Sequence, residues 1–201
     1  MVEQVKNRRL FHLTETKPYK QALVAGQKVN IGNDYSPFFG FYEGAREYGV
    51  MTPNGVVQIK AVAWLRQVRD GLINIDALNL ASNATDIAQH YVMLCREIIM
   101  EEIRRDEFKS EPPSRQRCLY ACDTVEEARY WKQFVGQGST VCELTCTGTT
   151  LRADASWLLG DSEPLSVTKG RAQKYWRGEA GTTPQWETLF VGDATVTGFG
   201  L

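Results

Sequence analysis

Three polar side chains sit inside runs that are otherwise largely apolar. His12 lies between Phe11 and Leu13, and Tyr120 between Leu119 and Ala121; Glu187 follows Trp186 and leads into Thr188, Leu189, Phe190 and Val191. Each has an ordinary explanation: a hydrogen-bonded structural histidine, a strand tyrosine in or beside the core, and a glutamate on a wet strand face. The two-residue period of a strand adds neighbours. Thr14 shares a face with His12, and Gln185 shares one with Glu187. Counting narrows the other chemistries. The chain has 2 histidines, which excludes a His-rich metal site, and 5 cysteines. Cys118 and Cys122, like Cys142 and Cys146, are spaced C-x3-C, whereas zinc sites prefer C-x2-C turns. An odd number of widely spaced cysteines argues against a disulfide framework. Small buried thiols on neighbouring strands are the simpler reading. No P-loop and no G-x-G-x-x-G turn is present.

The elements that must position these residues can be read from periodicity and breakers. A chain of 201 residues with 43% apolar and 23% charged residues is expected to form one globular domain. Its net charge of −1 gives no ground for non-specific nucleic-acid binding over the whole surface. No apolar run has the length of a membrane span, and residues 1–10 are polar and charged, so a cytoplasmic protein without membrane contact is expected. Residues 9–14 read as a strand and 24–31 hold a second short one. Residues 41–48 read as a helix weakened by Gly44, and 56–63 are ambiguous. Residues 86–108 are strongly helical, with Ile87, Tyr91, Leu94, Ile98 and Ile103 on the apolar side, Thr85 or Asp86 as cap, and Glu111-Pro112-Pro113 as stop. This helix belongs to a helical insertion around 74–109. Residues 117–122 read as a strand, Asp123 or Thr124 as a cap, and 125–134 as an amphipathic helix. Strands follow at 140–146, 185–191 and 194–197, with turns at Thr147-Gly148-Thr149 and Gly192-Asp193, and a short helix at 172–177. The predicted class is α+β, a single domain over residues 1–201.

Taken in order, F-H-L-T in the first strand, L-Y-A-C-D-T-V-E-E-A-R-Y-W as strand, turn and helix, and Q-W-E-T-L-F-V in a late strand resemble the ADP-ribosyltransferase superfamily. The closer likeness is to the His-Tyr-Glu branch related to poly-ADP-ribose polymerases and diphtheria-type toxins, in a bacterial or phage, effector-like form. The likeness covers the two ends of the chain; residues 45–109 have no counterpart. It implies an ART-like split β-sandwich of two small antiparallel sheets. It also implies NAD as substrate and cleavage of the nicotinamide–ribose bond through an oxocarbenium-like state. In that scheme Glu187 accepts the ribose 2′-hydroxyl and stabilises the cation. His12 anchors the adenosine ribose, with Thr14 as a second contact, and Tyr120 stacks on the nicotinamide. Ser114 and Arg115, in the loop before the Tyr120 strand, are the candidates for the pyrophosphate, set against a solvated surface arginine. Gln185 is a candidate for orienting the acceptor, set against an ordinary solvent-facing amide. The Gln-x-Glu pair belongs to a different branch, one with Arg and Ser where this chain has His12 and Tyr120. The acceptor, protein or nucleic acid, therefore stays open.

Two other functions compete. An RNA 2′-phosphotransferase on the same fold also uses NAD and needs several arginines and an RNA-binding surface, for which a net charge of −1 is unfavourable. An inactive ART-like binding module is the other. In either, the helix at 86–108 could serve a partner, in which case apolar residues on it stay exposed; the plainer expectation is that it packs on the sheet.

Overall fold

The computed structural model describes residues 2–15, 22–109, 111–136, 138–158 and 161–200. In chain order these form β1 (Val2–Thr14), β2 (Lys28–Ile31), α1 (Pro37–Glu43), β3 (Glu47–Thr52), β4 (Gly55–Lys60), α2 (Ala61–Arg69), α3 (Ala77–Glu107), β5 (Leu119–Ala121), α4 (Val125–Val135), β6 (Thr140–Asp154), α5 (Leu165–Arg177) and β7 (Trp186–Phe199). The described residues thus form an α+β chain with five helices and two antiparallel sheets. The larger sheet runs β1-β6-β7-β2, with β5 also on β7; β3 and β4 form a separate hairpin. No helix is long and apolar enough to cross a membrane among the described residues.

The turns expected at Thr147-Gly148-Thr149 and Gly192-Asp193 are not turns. β6 and β7 run straight through them, and Gly148 faces Gly192 across the ladder and Val5 of β1 on its other side. Glycine is needed there for backbone approach. A Cβ on Gly148 would lie 2.8 Å from Gly192 Cα and closer still to the Val191 carbonyl, and both glycines have positive φ, 155° and 137°. β1 is bulged between Val5 and Arg8 on the same line. A glycine signal that reads as a chain reversal thus marks a close approach of two long paired strands. Gly148→Ala is expected to cost on the order of 3 kcal/mol, read from urea unfolding, because the obstacle is backbone and cannot rotate away.

β1 meets the chain after β5 through a single two-bond pair, Phe11 N to Cys122 O at 2.9 Å and Cys122 N to Phe11 O at 2.7 Å. Leu10, Ala121, Cys142, Leu144, Cys146, Phe190, Ala194 and Val196 fill the inner face. On the outer face, Leu151, Ala153 and Leu189 pack under Ile99, Met100 and Ile103 of α3 and Ala172, Tyr175 and Trp176 of α5. Phe11, Cys122 and Val141 pack under Ala128 of α4.

α3 begins nine residues before the sequence reading has it, capped by Asp76, whose carboxylate accepts from Asn79 N at 2.9 Å. Asp86, expected to cap, lies inside the helix and accepts from Arg46 and from the Tyr48 hydroxyl, tying β3 to α3. The expected apolar stripe is also displaced. Tyr91 and Ile98 are exposed, whereas His90, Arg96, Glu97, Glu101 and Arg104 are buried with Ile87, Ile99, Met100 and Ile103. The first part of α3 closes a separate cluster with Ala61 and Trp64 of α2 and the hairpin. The residues at 41–48 divide between α1 and β3, and those at 56–63 between β4 and α2.

Candidate active site

The chemistry-bearing residues gather around β5 and the start of β7. Alternation along β7 puts Glu187 on the face of Leu189, under α3 and α5. Tyr120 pairs directly with Leu189 and packs into the same cluster. There the carboxylate of Glu187 meets two donors on one oxygen: Arg115 Nη1 and, at 2.6 Å, the Tyr175 hydroxyl both donate to Oε1. No described residue hydrogen-bonds Oε2, and 11% of the side chain remains exposed. One carboxylate oxygen is therefore clamped and the other is open.

Arg115 is the hub. Its Nε donates to Glu97 Oε2 at 3.0 Å and its Nη1 to the Tyr175 hydroxyl at 2.6 Å, and its guanidinium lies 5.0 Å from the Tyr120 ring centre and 5.1 Å from that of Tyr175. Arg96 donates to Glu97 from the other side, at 2.7 Å through Nη2. Two cations and two carboxylates thus balance within the interior. The expectation that Arg115 is a loop residue presented to a pyrophosphate is corrected: it is buried at 3% exposure, and its charge is taken by Glu97 and Glu187. Ser114 is likewise engaged, donating to Glu101 Oε2 at 2.8 Å and accepting from Gln116 N.

Burial and charge set the protonation states. Burial pushes the phenols of Tyr120 and Tyr175 well above their usual range, so both stay protonated. Tyr120 spends its hydroxyl on the Arg115 carbonyl at 2.7 Å. Against the burial that opposes its charge, Arg115 and Arg96 hold Glu97 below the ordinary glutamate value of 4.5. A carboxylate lowered on folding adds stability above its unfolded pKa and loses it as pH falls through the folded one. Asp154, held low by the backbone N–H groups of Gly181, Gln185 and Ser156, acts in the same direction. Urea midpoints are therefore expected to fall as pH drops below about 4.5, with Glu97 a principal contributor. Burial pushes the thiols of Cys122 and Cys146 up to about 12, which leaves them protonated and poor nucleophiles.

His12 stands differently. It shares the inner face with Leu10 and Thr14, opposite to the face that carries Tyr120 and Glu187. Its ring reaches the Tyr120 backbone, with Nδ1 2.7 Å from the carbonyl oxygen. A carbonyl only accepts, so Nδ1 carries the proton. Thr14 is buried and its hydroxyl accepts from Leu23 N at 2.8 Å. Gln185 sits just before β7, its N–H on Asp154 Oδ1 at 2.7 Å and its carbonyl accepting from Ala155 N at 2.8 Å. The structure thus joins Tyr120, Arg115 and Glu187 in one cluster, brings His12 against the Tyr120 backbone, and leaves Thr14 and Gln185 outside the cluster. Tyr175, whose pairing with Trp176 in the sequence fits a cleft wall or, more simply, core, and Glu97 and Arg96, on a helix judged by its apolar residues, are the members not among the candidate site residues. The signal for Glu97 was spacing: His90, Leu94, Glu97, Glu101 and Arg104 recur every three or four residues.

An α+β fold carrying a buried, arginine-clamped carboxylate with one open oxygen defines the class of site. Residues 10–198 match the family model described as "Protein of unknown function (DUF2441)", and the chain belongs to that family. A comparison with curated proteins gave no match.

Proposed function

We propose that the protein is an NAD-consuming mono-ADP-ribosyltransferase in which Glu187 stabilises the cation formed when nicotinamide leaves. The observation that carries this reading is the state of Glu187: Oε1 is held by Arg115 and Tyr175, and no described residue hydrogen-bonds Oε2. In the reaction the C1′–N bond of NAD breaks and both its electrons go to the pyridinium nitrogen, so nicotinamide departs neutral and needs no acid. The ribose keeps the positive charge, and a fixed carboxylate that accepts its 2′-hydroxyl lowers that barrier without reorganisation. An acceptor oxygen or nitrogen then forms the new bond at C1′ and loses its proton to solvent. Tyr120 offers a ring against which nicotinamide is held; its centre lies 5.6 Å from that of Phe38 of α1, with the two planes 72° apart. His12 serves by holding the Tyr120 backbone. The α+β class and the antiparallel sheets are compatible with the coarse architecture that the resemblance implies.

A second reading has its own support. The ion cluster is balanced without any ligand, as expected of a structural pin in a binding module. The RNA 2′-phosphotransferase reading is weakened because Arg96, Arg104 and Arg115 are buried and ion-paired. Incubation with NAD labelled in its adenylate half separates these. Label transferred to protein or nucleic acid in a lysate supports the transferase and identifies the acceptor class. Label released as free ADP-ribose means water acts as acceptor. Unconsumed NAD in both settings favours the binding module.

A further inference from the structure

A second site lies away from Glu187, in the unit built by the β3–β4 hairpin, α2 and the start of α3. These elements form an open concavity of about 450 Å3, lined by Tyr48, Trp64, Leu72, Ile73, Asn74 and Asn83 among others, with Leu72 and Asn74 on its exposed rim. That volume is within the range of small-molecule pockets. Its walls are held in place. Tyr48 and Trp64 stack at 4.8 Å with their planes 26° apart, the Tyr48 hydroxyl donates to Asp86 Oδ2 at 2.8 Å, and Arg46 Nε donates to the same carboxylate at 2.9 Å.

The lining is neutral. It holds no Lys, Arg, His, Asp or Glu, so a charged group entering it would lose water and gain no partner. Its polar side chains include two carboxamides, Asn74 and the half-buried Asn83, and neither side chain hydrogen-bonds any described residue. A carboxamide presents a donor and an acceptor side by side, the pattern that pairs with the edge of a nucleobase. Aromatic and aliphatic walls suit the faces of such a ring.

We propose that this cavity binds a neutral, planar heterocycle of nucleobase type through the Asn83 carboxamide. The proposal does not depend on the reading of Glu187. Saturation-transfer NMR with adenosine and with uridine tests it, using the full chain. Two variants accompany the native protein. Asn83→Leu removes the carboxamide, and Leu72→Trp fills the cavity from a position that is 76% exposed, where a larger side chain leaves the core untouched. The expected result is transfer to at least one nucleoside, with affinity about tenfold or more weaker in both variants. No transfer to either nucleoside, or equal affinity in the native protein and both variants, overturns the proposal.

Discussion

Arg115→Met is expected to destabilise the protein by about 3–5 kcal/mol, a large share of the 5–15 kcal/mol typical of a domain. Arg115 and Arg96 balance Glu97 and Glu187, and the Glu97 side chain is 0% exposed. Removing Arg115 leaves two carboxylates against one guanidinium, with Glu97 fully buried and Glu187 nearly so. Met matches the volume and packs against Tyr120 and Tyr175, so the loss reports charge rather than a cavity. Urea unfolding measures it. The double variant Arg115→Met with Glu97→Gln is expected to lose less than the sum of the single variants, because it removes one buried charge of each sign. A loss under about 1 kcal/mol, the scale of an exposed ion pair, would show that the cluster is open to solvent.

Glu187→Gln is the second large effect and falls on activity. Gln still accepts from Arg115 and Tyr175 at one oxygen, so the geometry around β7 is retained. It carries no negative charge, and its other terminal atom donates where a ribose hydroxyl would be received. The expected consequence is a fall of about a hundredfold or more in nicotinamide release, the scale for losing one preorganised electrostatic contact. Tyr175→Phe tests the same clamp more gently. It removes one donor to Oε1 and leaves Arg115, so its effect on activity should be smaller than that of Glu187→Gln, while its stability loss is that of two buried hydrogen bonds to charged groups, about 2–4 kcal/mol.

Much of the fold was legible because it is locally encoded. The Thr124 cap and the acidic first turn of α4 are visible as Asp123-Thr124-Val125-Glu126-Glu127, and Thr124 Oγ1 does accept from Glu127 N. The strands around His12, Tyr120 and Glu187 were legible from their apolar and β-branched neighbours. What was hidden is non-local. Gly148 and Gly192 look like turn residues one at a time; only their pairing 44 positions apart reveals a close approach of two continuous strands. The buried face of α3 was misjudged for a related reason. Apolar residues mark a buried face only when its polar residues have no partners, and Glu97 and Glu101 find theirs in Arg115 of a distant loop and in Arg104 of the next turn. Arg115 itself is surrounded by polar residues in sequence, and its burial follows from where α3 and α5 lie. Tyr120 and Glu187 could be placed on strands from their neighbours and singled out through the resemblance, but the Arg115 hub that connects them could not.

The central claim is that Glu187 acts on NAD, and release of nicotinamide tests it most directly. Native protein and Glu187→Gln, both verified as folded by circular dichroism, are incubated with NAD alone and with lysate. Release by the native protein in at least one setting, and a fall of about a hundredfold or more in the variant, are expected. Equal release from both proteins, or none from the native protein in either setting, would contradict that claim.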